Sequence, residues 1–228
     1  MIKNNKKMTV IIPAAGAGRR MKSYGPKCLI DLTPNQTILD RQLEIINNTF
    51  KRTEIILVCG FESEKVIQKA PEECIKVENE LYEDTNVARS VAMALRATTA
   101  KDILIVNGDL VFSREMLKHI DYSSSCTICS KDPERESEVG CIIDQQGNLS
   151  HIMYDLEKKW SQIVYLKGKE LILFKKHIWD TRYRKYFMFE IINKVIETGG
   201  AIKCREVFGE KIIDVDNSKD LVRAKEIV

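Results

Sequence analysis

Short apolar runs alternate with segments of helical periodicity through the first half of the chain. The runs are rich in β-branched residues and predict strands over residues 9–13, 54–60, 75–80 and 102–112. Between them, apolar positions recur at helical spacing and predict helices over residues 37–50, 63–70 and 86–98. The order β-α-β-α-β-α-β is typical of a parallel sheet with helices on both faces.

Local signals mark the ends of these helices. Thr37, with Asp40 three residues later, predicts an N-terminal cap on the first helix. Ser63 begins the second, and Pro71 stops it because the residue before a proline disfavours the helical conformation.

The pattern loosens after residue 113. We predict further strands over residues 123–131, 138–154 with a turn at 145–148, 170–176, 202–207 and 211–216. A helix is predicted over 185–200, where a Gly-Gly pair ends it, and a last one begins with Ser218 as its cap. Without an internal repeat or a linker, residues 1–228 are predicted to form a single α/β domain.

Composition narrows the classes of function. Hydrophobic residues make up 44% and charged residues 30%, which favours a globular protein, and a net charge of +3 does not indicate nucleic-acid binding. No stretch reaches the ~18 apolar residues of a membrane span. The start of the chain faintly resembles a signal peptide, but its apolar run stops at Pro13, so we expect a cytoplasmic location. The sequence is compatible with a homo-oligomer.

The seven cysteines do not predict a disulfide framework, because their number is odd and their spacing irregular. Cys126, Cys129, Cys141 and His151 form an alternative set of zinc ligands. Against that set, Cys126 and Cys129 are three positions apart in a predicted strand, so their side chains face opposite sides.

The first predicted strand is followed by the small-residue stretch AAGAGRRM and then by Pro26-Lys27. A dinucleotide fingerprint is excluded because Met21 stands where its third glycine belongs, and a P-loop is excluded because no G-K-[ST] follows. The residues alone leave two readings open: a tight turn with solvated arginines, or a backbone cradle for phosphates with nearby cations.

The longer pattern resembles the signature of nucleotidyltransferases that join a nucleoside triphosphate to a phosphorylated small molecule, such as sugar-phosphate nucleotidylyltransferases and bacterial choline-phosphate cytidylyltransferases. The matching positions are Ala14, Ala15, Gly16, Gly18, Arg20, Met21, Pro26 and Lys27. The segments IILVCGFESEKV, LIVNGDLVF and IIDVDNSKDLVRAKEI resemble later parts of the same family in the same order. The resemblance implies a Rossmann-like, mixed and mostly parallel sheet, the nucleotide-diphospho-sugar transferase fold.

The resemblance also implies roles in the reaction. Arg20 would hold the β- and γ-phosphates, and Lys27 the α-phosphate and the incoming phosphate. Asp109 and Asp216 would bind Mg²⁺, which prefers one or two carboxylates together with phosphates. Asp214 points the same way as Asp216 in a strand and is the alternative ligand.

Two further groups of residues are implied to bind substrates. The nucleotide would contact Ala14, Ala15, Gly16, Gly18, Gly60, Asn86 and Ser90. Asn86 could instead be only a helix cap. The acceptor would contact Glu190 and Asn193. Alternatively, Glu190 is only a charged residue on the solvent-facing side of an amphipathic helix. An aromatic wall for a quaternary ammonium could come from Tyr154, Trp160 and Trp179.

The preferred substrates are CTP and a small phosphorylated alcohol, amine or sugar such as phosphocholine, with release of pyrophosphate. A sugar-1-phosphate nucleotidylyltransferase that uses UTP or dTTP is the alternative. The D-V-D motif at 214–216 leaves a nucleotide-sugar glycosyltransferase as a further alternative, although such enzymes lack the Arg20/Lys27 loop. A non-catalytic relative is disfavoured because both cations and both aspartates are present.

Overall fold

The computed structural model describes residues 4–18, 21, 24–130 and 138–228. The strands are Asn4–Pro13 (β1), Asp31–Thr33 (β2), Gln36–Thr37 (β3), Phe50–Cys59 (β4), Ile75–Glu78 (β5), Asp102–Val106 (β6), Leu110–Phe112 (β7), Cys126–Ser130 (β8), Val139–Ile143 (β9), Leu149–Tyr154 (β10), Lys158–Lys167 (β11), Lys203–Val207 (β12) and Ile212–Asp214 (β13). The helices are Ile38–Thr49 (α1), Ser63–Lys69 (α2), Val87–Ala94 (α3), Gly168–Ile178 (α4), Met188–Glu197 (α5) and Ser218–Lys225 (α6). Within the described ranges, every helix is too short or too polar to cross a bilayer.

Nine of the described strands form one sheet. Its main path runs β10-β9-β11-β6-β1-β4-β5, while β8 pairs with β11 and β12 pairs with β8. Strands β6, β1, β4 and β5 are parallel, whereas β11 runs antiparallel to β6, β8 and β9. The predicted α/β class with a mixed sheet is confirmed. The parallel portion consists of β1, β4, β5 and β6, the four strands predicted in the first half of the chain.

The parallel strands are apolar along their length because both faces of the sheet are covered. Val10, Ile12 and Leu57 face a core cluster that includes the apolar side of α1. Their neighbours Ile11 and Ile56 face a second cluster, formed with α3, α4 and α5. The chain therefore buries both sides of β1 and β4 and leaves only the strand ends to solvent.

Strand β11 was not predicted. Its sequence, KKWSQIVYLK, mixes charged, aromatic and β-branched residues and lacks a regular period. The register shifts between Trp160 and Val164, and Gln162 has a φ of 60°, in the left-handed region that non-glycine residues seldom adopt. An irregular strand of this kind hides the alternation by which a strand is recognised.

The predicted strand over residues 170–176 is wrong, because this segment belongs to helix α4. Leu171, Phe174 and Ile178 are buried at a spacing of three and four residues, while Ile172 is exposed. Helical spacing, not alternation, therefore governs the apolar positions here.

The caps of α1 and α6 can be compared with the predictions. Thr37 accepts a hydrogen bond from the Asp40 N–H, and the Asp40 carboxylate accepts one from the Thr37 N–H, so the predicted cap is confirmed. The last helix is capped by Asn217 instead of Ser218, since the Asn217 side chain accepts hydrogen bonds from two N–H groups of the first turn.

Two glycines allow the strand ends of the parallel portion to come together. A Cβ on Gly60 would lie 2.6 Å from the Ala15 carbonyl oxygen, and one on Gly108 would lie 2.7 Å from the Ala14 Cβ. Any larger residue would push the loop after β1 away from β4 and β6. These contacts bring the ends of three strands to one edge of the sheet.

A buried amide on α1 fixes the turn between β6 and β7. The Gln42 Nε2 group donates to the carbonyl oxygens of Asn107 and Leu110, each at 2.8 Å. Gln42 is 1% exposed and pairs the buried Leu110 carbonyl, while the Asn107 carbonyl also accepts from the Leu110 N–H at 3.3 Å. The amide thus holds the short segment that contains Asp109.

Replacing Gln42 with leucine should destabilise the protein. The substitution nearly keeps the volume but removes this donor from the buried Leu110 carbonyl and one of two donors from the Asn107 carbonyl, and an unsatisfied buried group costs about 1–3 kcal/mol. Urea unfolding should show a lower midpoint with an unchanged slope. Asn48→Leu, at the exposed end of the same helix, is the matched control and should change the free energy of unfolding by less than about 0.5 kcal/mol. Equal stabilities of the two variants would contradict the role assigned to Gln42.

Candidate active site

A cleft of about 520 Å³ opens at the carboxyl ends of the parallel strands. Open α/β sheets bind ligands at this edge, because the loops that follow parallel strands meet there. The described polar residues that line it are Asn79, Thr85, Asn86, Ser90, Asn107, Asp109, Glu138, Lys159, Gln162, Asp214 and Asp216. Its wall on the side of α5 is aromatic.

A lysine bridges two carboxylates at one end of the cleft. The Lys27 Nζ atom lies 3.0 Å from Asp109 Oδ2 and 2.6 Å from Asp216 Oδ1. Lys27 opens the 3-10 helix Lys27–Leu29, and Asp109 lies in the turn between β6 and β7. The structure therefore brings together three of the residues for which the sequence predicted roles in catalysis.

Pairing of β13 with β7 brings the two aspartates together. In this antiparallel ribbon Ile213 is opposite Val111, and the Val215 N–H donates to the Asp109 carbonyl oxygen at 3.0 Å. Asp216 follows directly and reaches Lys27 from the opposite side. A separation of 189 residues along the chain between Lys27 and Asp216 is thus closed by a three-residue strand pair.

Gly18 provides the space for the lysine. A Cβ at this position would lie 2.9 Å from Lys27 Cγ, and its φ of 51° is in the left-handed region. A side chain at residue 18 would therefore be strained and would displace the aliphatic stem of Lys27. Glycine at position 18 therefore leaves the space that the Lys27 side chain occupies.

The charge on Lys27 is maintained by its neighbours. Burial alone would lower the pKa of the ammonium group, but Asp109, Asp214 and Asp216 together raise it above its ordinary value. Lys27 consequently stays a cation and offsets part of the repulsion among three carboxylates.

Asp214, the alternative ligand in the sequence, completes the acidic cluster. Oxygens of Asp109, Asp214 and Asp216 lie within 4.8 Å of one another. Burial, followed by the charges of Asp109 and Asp216, raises the pKa of Asp214 to about 7. Asp214 Oδ2 accepts a hydrogen bond from Gln162 at 2.9 Å, while its buried Oδ1 has no partner among the described residues.

This donor set suits a hard divalent cation. Mg²⁺ binds carboxylate oxygens and phosphates, and three carboxylates with an unpaired buried oxygen supply such ligands. A cation there would also relieve the repulsion that raises the pKa of Asp214. The residues present therefore fit Mg²⁺.

Gln162 connects the acidic cluster to the parallel part of the sheet. The Asn107 amide donates to Gln162 Oε1 at 2.7 Å, and Gln162 donates in turn to Asp214. The left-handed backbone conformation of Gln162 directs its amide toward Asn107 and Asp214. Sequence reasoning missed both Gln162 and Asn107, although Asn107 directly precedes Gly108-Asp109.

The residues predicted to hold the nucleotide are distributed over the other end of the cleft. Ala15 and Gly16 line it, and a Cβ on Gly16 would meet open space, so a ligand can approach the backbone. Ala14 and Gly60 do not line it, since their close contacts are with the neighbouring strand ends. Arg20 lies outside the described residues.

Asn86 and Ser90 both line the cleft. Asn86 Oδ1 accepts from the Val87 N–H, so this residue does cap α3, as the alternative interpretation held. Asn79 was missed; its amide donates to Thr85 and to Ser90 Oγ, at 3.1 and 3.2 Å. Asn79 directly follows the weak strand β5, and its position after an apolar-polar alternation was the available signal.

The predicted acceptor residues are not at the surface of the cleft. Asn193 is buried, and its amide accepts from the Ile152 N–H and donates to the Ile152 carbonyl oxygen. Glu190 accepts a hydrogen bond from the Phe187 N–H at 2.7 Å and thus closes the first turn of α5. Both side chains are used to join α5 to its surroundings.

The three predicted aromatic residues separate in the structure. Tyr154 lines the cleft and is half-exposed, and its ring meets Phe189 edge to face at 5.5 Å. Trp160 is 2% exposed and donates to Thr127, so it supports the wall from within the core. Trp179 lines a different cavity, beside Ile178 and Asp180. Phe187 and Phe189, which were not predicted, extend the wall beside Tyr154.

Solved structures with this fold cover nearly the whole chain. The CTP:phosphocholine cytidylyltransferase of Streptococcus pneumoniae (LicC) superposes with a TM-score of 0.79 at 16% identity, over 97% of this chain and 99% of that one. The inositol-1-phosphate CTP transferase of T. maritima gives 0.76 at 20% identity, over 98% and 96%. A putative glucose-1-phosphate thymidylyltransferase from Bacillus anthracis gives 0.75 at 12% identity, over 97% and 95%. At these identities the likeness concerns the fold.

Sequence comparisons extend from the fold to the family. The bifunctional protein GlmU of Methanococcus maripaludis (strain C5) is 30% identical over 128 residues, which is 55% of this chain and 30% of that protein. The chain thus spans about a third of the curated relative's length. Residues 10–156, which include β1, the glycine loop, Lys27 and Asp109, match the MobA-like NTP transferase domain. The chain therefore belongs to the MobA-like NTP transferase family and is a nucleotidyltransferase.

Proposed function

We propose that this enzyme transfers CMP from CTP to a small phosphorylated alcohol or amine of the phosphocholine type, with Mg²⁺ as cofactor. The Lys27 bridge between Asp109 and Asp216 is the observation that carries the proposal. A cation and a carboxylate pair at the carboxyl edge of a parallel sheet suit a reaction whose charge develops on phosphoryl oxygens.

The reaction is an attack of an acceptor phosphate oxygen on the α-phosphorus of the nucleotide. The bond from the α-phosphorus to the bridging oxygen breaks, and pyrophosphate leaves with the electron pair. Lys27 is 13% exposed and stays charged, so it stabilises negative charge at the α-phosphate or the incoming phosphate. Arg20 is proposed, from the resemblance alone, to neutralise the leaving pyrophosphate.

The three aspartates hold the cofactor in this proposal. Asp109 and Asp216 are the ligands, with Asp214 beside them, and Mg²⁺ when bound neutralises charge on the triphosphate. Gln162 keeps the Asp214 carboxylate oriented through its hydrogen bond. Lys27 lies between the two carboxylates that would hold the cation and would supply a second positive charge to the phosphates.

A pyrimidine base fits the polar group at the other end of the cleft. Asn79, Asn86 and Ser90 present amide and hydroxyl groups there, and the backbone of Gly16 is open to a ligand. Such groups can pair with the amino and carbonyl substituents of cytosine. Two of the structural neighbours are described as CTP-dependent transferases, which supports the choice of CTP over UTP or dTTP.

The aromatic wall supports an acceptor with an alkylammonium group. Tyr154, Phe187 and Phe189 are adjacent, and the ring planes of Phe187 and Phe189 are 11° apart. Aromatic faces attract quaternary ammonium groups, and the carboxylate of Glu138 lines the same cleft. An acceptor of this class would place its cation on the wall and its phosphate toward Lys27.

A pyrophosphate-release screen tests the substrates. CTP, UTP, ATP, GTP and dTTP should each be combined with phosphocholine, phosphoethanolamine, glycerol 3-phosphate and glucose 1-phosphate in the presence of Mg²⁺. We expect release with CTP and phosphocholine or phosphoethanolamine, and no release after chelation of the metal. Release only with UTP or dTTP and the sugar phosphate would overturn the proposed substrates.

Lys27→Met should lower kcat by at least about 100-fold, the loss typical of removing one group that stabilises developing charge. The substitution keeps the apolar stem that packs on Gly18 and removes only the charge. Steady-state kinetics should be accompanied by circular dichroism, so that loss of activity is separated from loss of fold. Lys65→Met removes an exposed cation of the same kind and should retain full activity. Normal turnover of Lys27→Met would remove Lys27 from the reaction.

Tyr154→Ala should raise KM for the acceptor by about 5- to 30-fold, because a cation on an aromatic face contributes about 1–2 kcal/mol when partly desolvated. KM for CTP should change less than KM for the acceptor, since the ring packs against Phe189 in the aromatic wall. Trp179→Ala is the matched control, because that side chain lines another cavity. A rise in KM for CTP as large as that for the acceptor would be inconsistent with an acceptor role for Tyr154.

A further inference from the structure

Three cysteines converge inside the core on the side of the sheet that packs against α5. They are Cys129 on β8, Cys141 on β9 and Cys204 on β12, and their sulfur atoms lie within 4.8 Å of one another. All three are buried, at 0%, 3% and 9% exposure. The zinc set considered from the sequence does not form, because Cys126 faces the opposite core cluster.

The strand pairing separates the backbones of these cysteines. Cys129 is opposite Trp160 and Cys141 is opposite Lys158, on the two different edges of β11. Strand β11 thus lies between β8 and β9, so Cys129 and Cys141 are not on neighbouring strands.

Cys204 is also displaced from its neighbour along the strand. It is opposite Thr127 in the parallel pair of β12 and β8, two residues before Cys129. The diagonal distance between the two Cα atoms is therefore about 8 Å. The three sulfurs therefore converge from three different strands, as ligands do around a shared atom.

An ion pair flanks the cluster. Lys158, opposite Cys141, donates a hydrogen bond at 2.6 Å to Glu206, which is opposite Cys129. Leu149, Ile152 and Trp160 belong to the same apolar cluster and exclude water.

We propose that Cys129, Cys141 and Cys204 bind one Cu(I) ion in a three-coordinate sulfur site, separate from the nucleotide cleft. Thiolates are soft ligands that select Cu(I) among biological metals, together with zinc and iron–sulfur clusters. With metal–sulfur bonds of about 2.3 Å, three sulfurs in a plane lie about 4 Å apart, which is close to their present spacing.

The number of ligands distinguishes Cu(I) from zinc. Structural zinc is almost always four-coordinate. Among the His, Cys, Asp and Glu side chains that the structure describes, only these three group together here. Each cysteine that coordinates as a thiolate releases its proton to solvent, and Lys158 offsets part of the remaining negative charge.

The test is a titration of the reduced, chelator-treated full chain with Cu(I) under anaerobic conditions, in competition with bicinchoninate. We expect one tightly bound ion per chain and an X-ray absorption spectrum with three sulfur neighbours at about 2.3 Å. Alanine at position 129, 141 or 204 should weaken Cu(I) binding at least tenfold. Cys126→Ala, on the same strand but in the other core cluster, should leave binding unchanged.

The absorption spectrum of the wild-type protein does not depend on how well the variants fold. Absence of tight binding, nitrogen or oxygen neighbours at the metal, or full binding by folded alanine variants would each overturn the proposal. A disulfide between any two of the three cysteines in the reduced, chelator-treated protein used for the titration, mapped by peptide mass spectrometry, would also overturn the proposal, because it removes two of the three ligands. Nucleotidyl transfer by the copper-free protein is expected to be unaffected, so failure here and failure of the proposed function are distinct.

Discussion

The ammonium of Lys27 between Asp109 and Asp216 is the interaction on which the site depends. Three carboxylates within 4.8 Å repel one another, and part of that repulsion appears as the raised pKa of Asp214. A buried cation offsets it, and its stem needs the backbone of Gly18 to be bare. The attraction between Lys27 and the aspartates thus holds three segments together. They are the loop after β1 that contains Gly18, the turn between β6 and β7, and the ribbon of β7 and β13.

Much of the first half of the fold could be predicted because local pattern and burial agree there. The strands β1, β4 and β6 are apolar on both faces. The cap of α1 is local, because Thr37 and Asp40, which form it, are three residues apart. The second half was harder for a physical reason. β11 contains a register shift and a left-handed residue at Gln162, and α4 reads as alternating although Leu171, Phe174 and Ile178 lie on one helical face.

Some residues of the candidate site could be named from the sequence and others could not. Lys27, Asp109 and Asp216 could be named because the resemblance to nucleotidyltransferases assigns roles to these positions, and both aspartates follow apolar runs. Nothing local shows that the Asn193 amide meets both main-chain groups of Ile152 on β10. Gln162 and Asn79 were missed for the same reason: an amide becomes part of a site through partners distant in sequence. The four residues 19, 20, 22 and 23 lie outside the described structure, so Arg20 rests on the motif alone.

The small ribbon of β7 and β13 has a consequence for the order in which the molecule is made. A ribosome delivers Lys27 and Asp109 long before Asp216, which is 189 residues after Lys27. Contacts of such long range close late, because the chain entropy of the intervening loop must be lost first. The parallel strands can assemble on a growing chain while the carboxylate cluster is still incomplete. The cluster of Lys27, Asp109 and Asp216 is therefore completed only after the segment that carries Asp216 has been made.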